Sequence, residues 1–166
     1  MGDWQQYVDQ IIHKFDYDTN TYTLENVCKA AAIYGHDGSC WAFTPEFPEL
    51  VRDRKISLEG LGDAKEEHTI DEIECAIEAG KGNRSPSAAG IRLDSMKYML
   101  TYRDDETGIS QLVSPSGGAA IVNINTAVII AIFDKDRKDA AGAEQNIHDT
   151  VDQVYGMSTY LKEQGY

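Results

Sequence analysis

The side chains in this 166-residue chain that could carry out covalent chemistry are few, and their spacing is unfavourable. Ser39-Cys40 follows His36-Asp37 closely enough to suggest a Cys/His pair. That segment, however, straddles an Asp-Gly turn, and Cys40 alternates with Trp41 in a short apolar run, so Cys40 is expected to be a buried structural thiol. No GxSxG nucleophile elbow occurs. Gly80-Lys81-Gly82-Asn83-Arg84-Ser85 superficially resembles a phosphate loop, but it follows a helical pattern and lacks the GxxxxGK[ST] spacing. Gly117-Gly118 has no helix after it to present amide donors. His13, His36, His68 and His148 are too far apart for an HxxxH pair, and Cys28, Cys40 and Cys75 contain no CxxC, so neither a metal site nor a disulfide framework is expected. No cofactor is implied, and an enzyme using Cys40 or His36 lacks a paired base and an oxyanion donor.

The side chains suited to binding are aromatic and lie near the two ends: Trp4, Tyr7 and Trp41, then Tyr155, Tyr160 and Tyr166. Rings beside chain termini are poorly placed for a core. If the terminal helices pack side by side, Trp4, Tyr7, Tyr160 and Tyr166 form one exposed cluster with Trp41 projecting between them. Such a surface suits a polyproline II segment, whose rings stack on aromatic faces while its carbonyls accept hydrogen bonds from indole N–H and phenol O–H groups.

The elements that would position these rings follow from periodicity. Trp4, Tyr7, Val8, Ile11, Ile12 and Phe15 recur at helical steps, as do Ile147, Val151, Val154, Tyr155, Ser158 and Leu161. Ala30–Tyr34 and Cys40–Phe43 flank the Asp37-Gly38 pair and read as a β-hairpin. Thr69-Ile70-Asp71-Glu72 fits a capping box with Thr69 as N-cap, opening a short helix that stops at Gly80. Ile91–Leu93, Tyr98–Tyr102, Ile109–Val113, Ala120–Ile124 and Val128–Phe133 read as five strands of an antiparallel meander. The sum is an α+β three-layer domain: a central antiparallel sheet with the N- and C-terminal helices on one face and shorter helical structure on the other.

The net charge is −13, with a concentration of eight acidic residues and one lysine between 59 and 78. That field disfavours nucleic acid and anionic headgroups. No apolar run is long enough to span a bilayer, and the first ten residues lack the pattern of a signal peptide, so a cytosolic protein is expected, with no membrane insertion.

Three segments, in order, resemble profilin: Trp4-Gln5-Gln6-Tyr7-Val8-Asp9, Ala32-Ile33-Tyr34-Gly35-His36-Asp37-Gly38-Ser39-Cys40-Trp41-Ala42, and Tyr160-Leu161-Lys162-Glu163-Gln164-Gly165-Tyr166. The resemblance continues through Ser116-Gly117-Gly118-Ala119 and Ile132-Phe133-Asp134, and makes 1–166 one domain, with stretches of about 16–27 and 49–69 resembling the acidic insertions of protozoan members. It implies a monomeric cytoskeletal protein of the cytoplasm that performs no catalysis, binds monomeric actin and proline-rich partners such as formins, and regulates filament assembly. The proline-binding groove would carry over to Trp4, Tyr7, Trp41, Tyr160 and Tyr166, with Tyr160 where some members have histidine. The actin face would carry over to Lys97, Arg103, Asn123, Val151 and Tyr155. Where many members place basic residues, this chain has Leu112-Val113-Ser114-Pro115 and Asp149, Val151 and Asp152, which retunes an actin interface and argues against phosphoinositide binding. A small-molecule sensor domain of the PAS type is the alternative built on a similar sheet.

Overall fold

The computed structural model describes residues 3–16, 18–59 and 64–166. Position 17 and positions 60–63, which fall in the two stretches expected to be insertions, lie outside the described residues.

Helix α1 (Asp3–Ile12) leads into a two-stranded ribbon, β1 (Lys14–Asp16) and β2 (Thr21–Leu24). The expected hairpin is β3 (Ala30–Gly35) and β4 (Cys40–Phe43). A second ribbon, β5 (Arg54–Glu59) and β6 (Lys65–Ile70), precedes α2 (Glu72–Gly80). The meander then runs through β7 (Ile91–Leu93), β8 (Met96–Asp104), β9 (Ile109–Ser114), β10 (Gly117–Asn123) and β11 (Ala127–Asp134), and α3 (Ile147–Glu163) follows. The main sheet has seven strands in the order β4-β3-β11-β10-β9-β8-β7, every neighbouring pair antiparallel.

Both faces of this sheet are covered, which explains why β3, β10 and β11 are continuous apolar runs without polar alternation. On one face Val8 and Ile11 of α1 and Val154, Met157 and Leu161 of α3 pack on Ala31, Ile33, Ala120, Val122, Ile129 and Ala131. On the other, Ile73, Ala76 and Ile77 of α2 pack on Ala30, Ala32, Ala119, Ile121, Val128 and Ile130. Alanines in the central strands let the helices approach closely, and each fully buried aliphatic side chain such as Val8 or Ile11 contributes about 1.5–3 kcal/mol.

Three local expectations are corrected. The first helix stops at Ile12, and Phe15 belongs to β1. The reason is tertiary: Val27 N–H donates to the Ile12 carbonyl at 2.8 Å, and the Gln153 amide donates to the carbonyls of Gln10, Ile11 and His13 at 3.0, 3.1 and 2.5 Å. The N-cap of α2 is Asp71, whose Oδ1 accepts from Glu74 N–H at 3.0 Å, while Thr69 lies in β6 opposite Lys55. Cys40 is exposed, because β4 is an edge strand and Trp41 takes the side packed against the α1–α3 layer. Cys28 and Cys75 are the buried thiols, and burial pushes Cys28 up to about 12.

The β5–β6 ribbon is anchored through Glu72, whose side chain is fully buried. Its Oε1 accepts from Val51 N–H at 3.1 Å and Arg54 Nε at 3.2 Å, and its Oε2 accepts from Ser95 N–H at 2.8 Å. One carboxylate thus ties the loop before β5, the start of α2 and the β7–β8 turn together. Glu72→Ala leaves these donors without an acceptor and is expected to cost about 3–5 kcal/mol, read as a lower urea midpoint. A midpoint within about 1 kcal/mol of the native protein's would show that water replaces the carboxylate there.

Candidate functional site

The five rings expected to meet do so. Trp4 is the hub: its ring centroid lies 4.6 Å from Trp41, 4.9 Å from Tyr166 and 5.5 Å from Tyr7, and Tyr7 in turn lies 5.7 Å from Tyr160. Interplanar angles of 49° to 82° make these tilted and edge-on contacts, the geometry favoured by the ring quadrupole. Trp4, Tyr7, Trp41 and Tyr160 are half-buried against the α1–α3 core, and Tyr166 is 40% exposed. The result is a strip of rings whose undersides are packed and whose outer surfaces face solvent.

Four of the five rings are set by local devices. Trp4 and Tyr7 share the inner stripe of α1, and Gln5 Nε2 donates to the Phe43 carbonyl at 3.0 Å, holding that helix against β4. Trp41 is set by the β3–β4 turn. Asp37 Oδ1 accepts from Ser39 N–H at 2.9 Å and Ser39 Oγ at 2.6 Å, bonds that hold the Asp37 carboxyl below the usual carboxylate range. The Trp41 indole lies directly over Gly35: a Cβ there would sit 2.8 Å from Nε1. Tyr166 is set by the end of α3. Gly165 adopts φ +93°, its N–H donates to the Lys162 carbonyl, and Tyr166 N–H donates to the Leu161 carbonyl at 3.0 Å. This pair of bonds is a Schellman turn, which reverses the chain and returns the last ring to Trp4. Neither Gly35 nor Gly165 was singled out in the sequence, although a glycine just past a helical stripe is a C-terminal signal.

The five residues carried over for an actin face do not form one patch. Val151 and Tyr155 lie on α3 and line a depression of about 260 Å³ with Tyr102. Arg103 and Asn123 turn to the other side of the sheet: Arg103 Nε donates to the Gly80 carbonyl at 3.2 Å and Asn123 Nδ2 to the Ile77 carbonyl at 2.9 Å. Lys97 lies near the β7–β8 edge, around a concavity shared with Arg84 and Arg92. The sequence reading missed Met99 and Val113, cross-strand partners that are 62% and 43% exposed. Their neighbours Leu100 and Leu112 point into the α2-side core, so Met99 and Val113 project on the α1–α3 side. With Tyr102 at 55% and Tyr155 at 50%, they leave much apolar surface beside α3.

A family model for profilin matches residues 2–166. The chain belongs to the profilin family. Profilins are actin-binding proteins without enzymatic activity, and membership sets aside the sensor reading and the Cys40 or His36 enzyme. This profilin is 27% identical to the profilin of Tetrahymena pyriformis over 169 residues, an alignment that spans both chains completely. Its fold is similar to that of Acanthamoeba castellanii profilin IA, with a TM-score of 0.61 at 19% identity over 98% of this chain and 99% of the other. It is also similar to mouse profilin IIa, solved in complex with a double repeat from the FH1 domain of mDia1, with a TM-score of 0.56 at 17% identity over the same shares.

The Schellman turn gives a direct test of how the strip is held. An L residue in the left-handed region costs roughly 1–2 kcal/mol, so Gly165→Ala should release Tyr166 and leave the core intact. In a Trp41→Phe background, where Trp4 is the sole indole, acrylamide quenching of Trp4 is expected to rise with no change in far-UV circular dichroism. An unchanged quenching constant would show that Tyr166 is held by something other than this turn.

Proposed function

We propose that this profilin binds a proline-rich segment on the Trp4-centred strip and an actin monomer on the separate surface beside α3, so that it carries actin to proline-rich, formin-type partners and regulates filament assembly. The observation that carries the proline reading is the strip itself: Trp4 touches three other rings, and all five rings are held by the ends of α1 and α3 and by the β3–β4 hairpin. A polyproline II helix has three residues per turn and no internal hydrogen bonds. Its flat pyrrolidine faces therefore lie on successive rings, and its carbonyls remain open to indole and phenol donors. Little conformational entropy is lost on either side, because the peptide is already extended and the rings are already packed.

For actin, Val151 and Tyr155 with Tyr102, Met99 and Val113 form an exposed apolar area that a protein partner would cover. Lys97 lies at the sheet edge as a candidate rim charge; Arg103 and Asn123 would act indirectly, by fixing the β8 and β10 ends against α2. The acidic residues Asp149 and Asp152 at the start of α3 tune this interface toward a basic counterpart surface and away from phosphoinositides. A monomer working in the cytoplasm with the actin cytoskeleton fits both faces, and the whole chain serves as the one domain that joins them, with 16–27 and 49–69 as additions to it.

The two-surface reading is tested by titrating a proline decamer against tryptophan fluorescence and by measuring actin assembly in parallel. Tyr166→Ala should weaken decamer binding about thirtyfold, as loss of a central interface ring does, and should leave the effect on actin assembly unchanged. Equal loss of both activities in a folded variant would contradict separate surfaces.

A further inference from the structure

Tyr7 and Tyr160 belong to two surfaces. They form the end of the ring contacts remote from Trp41, and they also line a groove of about 690 Å³ between α1, α3 and the β1–β2 ribbon. Among the described lining residues the groove has four rings, Tyr7, Phe15, Tyr160 and Tyr155, the last also bordering the apolar area beside α3, and one carboxylate, Glu163, with no Lys, Arg or His. At its α1 wall stands Gln10, only 6% exposed, whose Oε1 is the one buried side-chain oxygen or nitrogen among the described residues without a hydrogen-bond partner. A buried acceptor left unpaired costs on the order of 1–3 kcal/mol. Gln10 is also one of the residues lining the groove, so the missing donor can come from a ligand seated there.

The two observations are independent and ask for the same ligand chemistry. Aromatic walls with a single carboxylate attract a cation, through the negative ring faces and the charge of Glu163. The orphaned Gln10 amide asks for an N–H donor. A guanidinium meets both demands: it is planar, stacks on tyrosine faces and presents five donors in a fixed fork. We propose that this groove binds an arginine side chain flanking the proline-rich segment, so that the protein selects proline tracts that carry a basic residue at one end. The proposal rests on reading the aromatic strip as the proline site, because Tyr7 and Tyr160 make the strip and the groove continuous.

The test compares a proline decamer with decamers extended by one arginine at either the N- or the C-terminal end, and by one glutamate at the same positions, at physiological ionic strength. Titrations use the native protein, Glu163→Gln and Gln10→Leu. Arginine at one end should tighten binding about tenfold, arginine at the other end and glutamate at either should not, and each variant should remove most of the gain without altering affinity for the plain decamer. Glu163 is solvent-exposed, so Glu163→Gln keeps the test decisive even if Gln10→Leu fails to fold. Equal gains from both ends that persist in Glu163→Gln would overturn the proposal in favour of general attraction to a chain of net charge −13. Binding of the plain decamer with no arginine gain would overturn the groove and leave the strip intact. Failure of the plain decamer itself to bind would overturn the strip reading and the groove with it.

Discussion

The two helices at opposite ends of the sequence lie side by side on one face of the sheet, and the aromatic strip depends on that pairing. Val8 and Ile11 from α1 and Val154, Met157 and Leu161 from α3 share one core over the alanines and isoleucines of β3, β10 and β11. The polar counterpart of this packing is the Gln153 amide, which donates to the carbonyls of Gln10 and Ile11 in the last turn of α1 and of His13 just beyond it. Those carbonyls have no partner within the helix, and burying them without a donor would be costly. One side chain of α3 therefore both ends α1 and fixes its position along α3. Only with that register set does Trp4 stand beside Tyr166 and Tyr7 beside Tyr160.

The opposite face of the sheet is organised on different terms. There α2 packs over β10 and β11, and the buried Glu72 gathers backbone donors from two loops and the guanidinium of Arg54. The β5–β6 ribbon attaches through this node and a small cluster of Ile56, Ile70, Cys75 and Ala89. Neither contact reaches the aromatic strip. Changes in the ribbon should therefore add or remove acidic surface without disturbing the rings.

Much of this was legible in the sequence, and the failures have physical causes. The helical stripes, the Asp-Gly hairpin and the five-strand meander are local patterns, and the structure has them close to the expected positions. The convergence of Trp4, Tyr7, Trp41, Tyr160 and Tyr166 followed from ring placement once the terminal helices were assumed to be neighbours. What went astray depended on long-range partners. Phe15 continued the helical period, but tertiary donors take the carbonyls that a longer helix would need. Thr69 was expected to cap α2, but it pairs with Lys55 in the β5–β6 ribbon, and Asp71 takes the capping position instead. Cys40 was expected inside because its strand is apolar, but a β-strand at the sheet edge has only one well-covered side. Arg103 and Asn123 were carried over from the family resemblance as actin-face residues, and their hydrogen bonds to carbonyls of α2 could not be read from local pattern. The groove beside Gln10 has no sequence signature, because it forms only where α1, α3 and the β1–β2 ribbon converge.

One preassembled strip of rings, built around Trp4, is the proposed proline-binding surface. It is tested most directly by following the two indole N–H resonances by NMR while a proline decamer is added to the native protein. Trp4 and Trp41 are the only indoles in the chain, so both signals are assigned with a single substitution. Both resonances are expected to shift saturably with one common dissociation constant, while amides of the β5–β6 ribbon and α2 stay in place. Indole signals that remain still, or that follow separate binding curves, would contradict it.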